Sequence, residues 1–368
     1  MRIVYVTEFN LEKPSGVLHK MNEQINAWSS FGAQVYVVSI PMTSVNSDEV
    51  LLTKRVEGYF IAKNSTAMRI RSTGIANFLN KIFTVSKVRK YIGEVNPDII
   101  YFREMIAFPR LLSIFNNYKV VLESNTVLST ELEHSSLKLR QMYKWFQQKL
   151  YKRCNAFIGV TDEICRQFIS YDKKSITIAN SIFVTTDLSP LPNLNEDKEA
   201  QITFVGSPDC PWHGIDKFIE MARLMPQFQF NLVGPRHPAL LPNLTQYGFL
   251  DKGRLIAVYK KTDVAIGTLA LHRNKMEEAC PLKVREYLSF GIPVILGYLD
   301  KDIEGQDFVL NLPNREHSVK ENIAKIDHFI RCWKGKRVPL SLIEPLISTR
   351  VKEVERLNFL KSVATNDE

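Results

Sequence analysis

Cysteine is scarce in this 368-residue chain: Cys154, Cys165, Cys210, Cys280 and Cys332 are all there are, and no two form a Cys-x-x-Cys pair. That leaves no metal-ligand spacing, and an odd, scattered set fits a reducing cytosol better than a disulfide framework. Long apolar runs are missing too; none approaches the roughly 20 residues a membrane-spanning helix needs. The opening MRIVYVTEF lacks the basic-then-apolar layout of a signal peptide and reads as a first strand, so a cytoplasmic location is expected. No nucleic-acid-binding motif is present, and nucleic acid is not an expected partner.

What is present describes a globular protein. Hydrophobic residues make up 45% and charged residues 24%, and the length suits two domains. The net charge is +9, and residues 1–190 hold most of the excess, with 24 Lys and Arg against 16 Asp and Glu. A basic first half reads either as an ordinary surface or as one that meets an anionic membrane face or an anionic acceptor. The segment 137–153, LKLRQMYKWFQQKLYKR, sharpens that choice. It either lies along a membrane or docks on its own domain and snorkels its basic tips.

Strand, glycine-containing loop, helix, strand is the opening of a parallel α/β domain. It occurs at Arg2–Ile40, with Gly16 closing the first loop, and again from Gln201, where Gly206 and Ser207 end a strand and Gly214 opens a helix. Between the two, LSPLPNLNEDKEA at 188–200 has no periodicity and reads as a linker. The expected domains are 1–187 and 201–342, followed by a helical stretch 343–368. Ligands of parallel sheets gather beyond the carboxyl ends of strands. That places Arg103, Glu123, Asn125 and Thr126 at a site in the first domain.

The most informative stretch is 271–296, LHRNKMEEACPLKVREYLSFGIPVIL. Pro281 suits a first helical turn. Val284, Tyr287 and Leu288 form a buried stripe, and Gly291 and Pro293 end the helix. A lysine in the first turn opposes the helix dipole, so Lys283 is easier to explain if an anion such as a diphosphate binds that end. Glu286, on the same face, suits a pair of ribose hydroxyls, and Glu278 the hydroxyls of a group carried by the phosphate. The plainer reading is an amphipathic helix with solvated charges.

The spacing Glu278-x7-Glu286 resembles the donor-binding signature of retaining glycosyltransferases of the GT-B fold, in the GT4-like group (family 4, or group 1). Pro281, Leu282, Lys283, Glu286, Tyr287, Gly291, Pro293 and Val294 match its Pro-Leu-Lys-x-x-Glu-Tyr and Gly-x-Pro-Val pattern. The segment 263–273 and the run Glu123-Ser-Asn125-Thr126 look like the bacterial members that build surface polysaccharide. The resemblance implies an α/β fold of two Rossmann-like parallel-sheet domains facing across a cleft, the first taking the acceptor and the second a nucleotide-sugar donor, with the C-terminal helix within 343–368 packing back on the first. It implies that Glu278 contacts the donor sugar, Glu286 the ribose and Lys283 the diphosphate. Gly16, Gly206, Ser207, His213, Gly214, Pro281 and Leu282 would line the donor. His213 stands where the family has a base, so Lys283 and Arg273 would carry more of the charge. The family's acceptor-side histidine is missing, which leaves Glu123, Asn125, Glu131 and His134 as candidates for a general base.

A departing diphosphate can be stabilised by fixed donors alone. The resemblance implies a metal-independent, configuration-retaining transfer to a glycan or lipid-linked acceptor, at the inner face of the membrane if the basic surface binds there. Asp300-Lys301-Asp302 spells the metal motif of a different glycosyltransferase fold, but its position reads as surface charge. Two alternatives stand beside transfer: a sugar-nucleotide epimerase of the same fold, and a non-catalytic glycan- or nucleotide-binding relative.

Overall fold

The computed structural model describes residues 1–41, 50–62, 73–127, 137–184 and 199–365. Most of the expected linker at 188–200, and Glu131 and His134, lie outside the described residues. The chain divides into two compact units: Met1–Ala179 with Thr349–Glu368, and Asn180–Ser348.

In the first unit, β1 (Arg2–Thr7), β2 (Gln34–Ser39), β3 (Gly58–Ile61), β4 (Ile99–Arg103), β5 (Lys119–Ser124), β6 (Ala156–Gly159) and β7 (Lys174–Thr177) form one sheet. Its order is β3-β2-β1-β4-β5-β6-β7, all parallel. Strands covered on both faces should read as unbroken apolar runs, and Ile3–Val6, Ile99–Phe102 and Val120–Leu122 are such runs, fully buried. Among the described residues of 1–179 the α-helices are α1 (Gly16–Ser30), α2 (Thr73–Val95), α3 (Leu137–Arg153) and α4 (Asp162–Arg166). The Ser15 side chain caps α1 by accepting from the Leu18 N–H, and Leu18, Met21, Ile25 and Trp28 turn inward at helical spacing. Thr161 caps α4 in the same way, through the Ile164 N–H.

The second unit repeats the plan. Its strands β8 (Gln201–Val205), β9 (Gln229–Val233), β10 (Leu244–Gly248), β11 (Val264–Ile266), β12 (Val294–Leu296) and β13 (Val309–Asn311) take the order β10-β9-β8-β11-β12-β13, again all parallel. Around them lie α5 (Ile215–Leu224), α6 (Lys252–Tyr259), α7 (Leu282–Ser289), α8 (Ser318–Glu321), α9 (Ile323–Trp333) and α10 (Leu340–Ile347). In both sheets the strand order reverses beside the first strand, at β1/β4 and at β8/β11. That doubly wound arrangement puts ligand sites at the carboxyl ends of those strands.

The helical stretch expected over 343–368 is two helices. The chain is extended at Ser348 between α10 and α11 (Thr349–Thr365). Leu357, Leu360 and Val363 of α11 join the core made by β1, β4 and α1, and the Trp28 indole donates to Glu353 at 2.9 Å.

Candidate active site

The carboxyl end of β8 gathers most of the residues expected to bind a donor. Gly206 follows the strand, and a Cβ there would lie 2.5 Å from the Phe204 ring and 3.3 Å from His213 Nδ1. The Ser207 N–H donates to that Nδ1 at 3.3 Å. Burial, with the Lys283 charge adding to it, pushes the His213 imidazole down to about 4, so it is neutral at ordinary pH. Gly214 has φ +73° and caps α5. A side chain there would meet Leu269 Cβ at 2.9 Å. The turn is held onto the segment after β11 by bonds from Leu269 and Ala270 N–H to the carbonyls of His213 and Trp212, at 3.1 and 3.2 Å.

α7 is pinned against this corner, because the Val205 N–H donates to the Tyr287 hydroxyl at 2.9 Å. Val284, Tyr287 and Leu288 are fully buried, as their spacing required. Pro281 corrects one expectation. Its extended backbone, φ −74° and ψ 139°, makes it the N-cap, and the helix starts at Leu282. Lys283 therefore stands in the first turn. Its Nζ lies 4.3 Å from the centre of the Phe204 ring. That amino group is buried and has no hydrogen-bond partner, and burial pushes it down to about 7. One turn on, the half-buried Glu286 accepts from the Tyr259 hydroxyl at 3.0 Å.

Glu278 lies in the segment before α7 and is 5% exposed. Its backbone neighbours pair with Leu299: Leu299 N–H donates to Glu277 C=O at 3.0 Å, and Ala279 N–H to Leu299 C=O at 3.1 Å. Its carboxylate lies 3.4 Å from Lys301 Nζ. Asp300 and Asp302 are not surface charge, as the sequence suggested. Asp300 is 2% exposed, and both aspartates bind the buried guanidinium of Arg285. Helical spacing could have found Arg285, since 281, 284, 285 and 288 share a face; its charge argued for the opposite side. Arg273 is engaged elsewhere. Its guanidinium binds Asp216 at 2.6 Å and also Glu316, so its charge is already matched by two carboxylates.

In the first unit the expected acceptor-side residues meet at the ends of β4 and β5. Glu123 is completely buried. It is bonded to Lys20 at 2.7 Å and Arg103 at 3.3 Å, lies 3.5 Å from Arg356, and also accepts from Tyr101. Burial alone would raise its pKa, but the Lys20, Arg356 and Arg103 charges outweigh this and hold it well below the usual carboxylate range. A base must reach substrate and take a proton; full burial and a depressed pKa count against that role for Glu123 and fit the centre of a buried charge cluster. Asn125 is half-buried, donating to Glu123 at 2.8 Å and accepting from Lys20 at 3.1 Å. The Thr126 carbonyl accepts from Ser124 Oγ at 2.9 Å. The Arg103 guanidinium lies 5.0 Å from the centre of the Phe9 ring. Gly16 is exposed at the first position of α1.

No family model and no curated protein matches the sequence. Solved structures do match over essentially the whole chain. Sucrose-phosphate synthase from Thermosynechococcus elongatus is 13% identical, with 99% of each chain covered and a TM-score of 0.68. Anabaena Alr3699/HepE, solved with UDP and glucose, is 16% identical, with 98% of this chain and 100% of that one covered and a TM-score of 0.67. UDP-GlcNAc 2-epimerase from Neisseria meningitidis is 12% identical, with 98% and 100% covered and a TM-score of 0.53. With its two Rossmann-like parallel sheets, the chain has the fold of the GT-B glycosyltransferases.

Proposed function

We propose that this chain is a retaining glycosyltransferase of the GT4-like group, moving a sugar from a nucleotide-sugar to a glycan or lipid-linked acceptor in surface polysaccharide assembly. The observation that carries this reading is the unpartnered, buried amino group of Lys283 in the first turn of α7. A buried cation without a counterion is unfavourable, and an arriving diphosphate would supply one. The exposed N–H groups of the helix start add to the attraction.

In this reading Lys283, the N-terminus of α7 and the Gly206–Ser207 turn hold the diphosphate and stabilise its charge as the sugar leaves. Glu286 holds the ribose and Glu278 the transferred sugar. His213, neutral, donates rather than neutralises, and Gly214 keeps its turn close to the phosphates. Asn125, Thr126 and Arg103 lie on the acceptor side. No metal is required, and activity should survive a chelator. The surface of α3, with Trp145 51% and Met142 39% exposed among basic residues, would rest on anionic lipid; sedimentation with anionic vesicles tests this.

A thermal-shift panel of UDP-, GDP-, ADP- and CMP-linked sugars tests the main reading, because a binder stabilises the fold by mass action. No shift with any of them would refute it. The matched epimerase favours a second reading, isomerisation of the nucleotide-sugar itself. Product analysis with donor alone separates the two: an epimerase changes the sugar when no acceptor is present.

A further inference from the structure

Arg285 is fully buried and all three of its guanidinium nitrogens are used. It grips Asp300 with two bonds, at 2.7 and 2.9 Å, and reaches Asp302 at 3.2 Å. It also donates to the Asn180 carbonyl at 2.9 Å and to Cys280 Sγ at 2.8 Å. Asn180 closes the circle, donating from its side chain to the Cys280 carbonyl at 2.6 Å and from its backbone to Cys280 Sγ at 3.0 Å.

These partners bracket Glu278. Cys280 is two residues after it. Asp300 follows Leu299, whose backbone pairs on either side of Glu278, and Lys301, beside Asp300, meets the Glu278 carboxylate. We infer that Arg285 is a positioning residue: its guanidinium sets the place of Glu278 relative to α7, and so decides whether the sugar of the donor is gripped. The Cys280, Asp300 and Asp302 ligand atoms lie within 4.8 Å of one another, a set able to hold a metal ion. Arg285 is bonded to all three, so in this chain an organic cation fills that place. A lysine cannot reproduce the planar fork that serves three carboxylate oxygens, a thiol and a carbonyl together.

This inference rests on the donor reading of Glu278 and α7, and the experiment separates the two. Calorimetry measures binding of UDP-, GDP- and ADP-glucose and of the free diphosphates UDP, GDP and ADP, with EDTA present to keep metals from the vacated set. If the natural chain binds none of these, the donor reading fails and the inference with it. If it binds, Arg285→Ala should keep its affinity for the free diphosphate and lose the added affinity from the sugar. Losing a hydrogen bond to a charged group costs roughly ten- to a hundredfold in affinity. Millimolar guanidinium should restore part of that loss in Arg285→Ala and do nothing to the natural chain. Should the single variant fail to fold, Arg285→Leu with Asp300→Leu removes both buried charges together, which leaves neither uncompensated. The same selective loss of sugar affinity is expected. An unchanged ratio of nucleotide-sugar to nucleotide affinity in either variant would overturn the assignment and make Arg285 a packing group.

Discussion

The amino group of Lys283 sits over the ring of Phe204, 4.3 Å from its centre, and bonds to nothing. The contact offers an ammonium the face of an aromatic ring but no counterion. Burial lowers its pKa from 10.5 to about 7, with only a small opposing effect from Cys210. The neutral His213, against the same ring, adds no negative charge. A lysine with a depressed folded pKa binds fewer protons than the unfolded chain between about 7 and 10.5. By linkage its burial penalty is full below 7 and is relieved as pH rises. A bound diphosphate reverses this, because it favours the charged form.

Donor affinity should therefore fall as pH rises above about 7, approaching tenfold per unit, while the site takes up one proton on binding. A nucleotide-sugar is the right probe, since its diphosphate keeps the same charge over this range. Calorimetry in two buffers of different ionisation enthalpy reads the proton directly. Lys283→Met should bind weakly at every pH and show no uptake. A flat profile in the natural chain would mean that Lys283 does not face the ligand.

The two glutamates should fail differently. Glu286→Gln keeps the shape but weakens the grip on ribose, so nucleoside diphosphate and nucleotide-sugar should lose affinity equally. Glu278→Gln should spare the diphosphate and weaken only the sugar-bearing ligand. Each change removes a charged hydrogen-bond acceptor, worth about 1.5–3 kcal/mol. Kd values for the four combinations of variant and ligand check the pattern. Equal losses from Glu278→Gln on both ligands would take that carboxylate out of the sugar site.

How much of this was readable beforehand differs between the two units. In the second, the apolar positions 284, 287 and 288 fixed the face of α7, and the glycines at 206 and 214 marked the turns around it. The packing of this corner therefore followed from local spacing. Arg285 and Asp300 escaped because their meaning depends on each other: a charged residue on an inward face looks like an error of period until its partner, 15 positions on, is seen beneath it. In the first unit, Glu123 looked like a cleft residue because it follows an apolar strand. β5 runs on through Ser124, which keeps Glu123 inside the sheet, and its cations come from α1, β4 and α11, positions 20, 103 and 356. No local pattern contains those long-range pairings.

Gly234 carries a backbone restraint on the same corner. It has φ +97°, and an added Cβ would lie 2.1 Å from the Gly206 carbonyl oxygen. The obstacle is backbone, so no side chain can turn aside to make room. Gly234→Ala should lose about 1–3 kcal/mol from backbone strain alone and push the Gly206 turn toward the ligand space. Chemical denaturation should show lowered stability, and donor affinity should fall in the fraction that remains folded. Gly305→Ala is the control. It also has positive φ, +74°, but nothing lies within 4 Å of its added Cβ, so stability should fall while donor affinity holds.

Arg356 tests whether α11 is part of the first unit's core or only lies upon it. It is fully buried, pairs with Glu353 on its own helix, lies 3.5 Å from Glu123, and donates to the Ile178 carbonyl at 3.3 Å. Removing one member of a buried charge cluster leaves the others uncompensated, which typically costs about 3–5 kcal/mol. Arg356→Met should thus destabilise the first unit by that order, seen as a lower denaturant midpoint. Glu123, whose pKa is depressed, contributes stability above its unfolded value of about 4.5 and loses it as pH falls through the folded value. The variant removes one of the cations that depress it, so acid unfolding should begin at a higher pH. A conservative partner change sharpens the result. Glu353→Gln keeps an acceptor for the Trp28 indole, removes the second buried carboxylate and leaves Glu123 its three cations, so the acid limb should stay where it is. If both variants unfold at the same acid pH as the natural chain, Glu123 is not the group that sets the limb, and the cations around it contribute little to holding α11 in place.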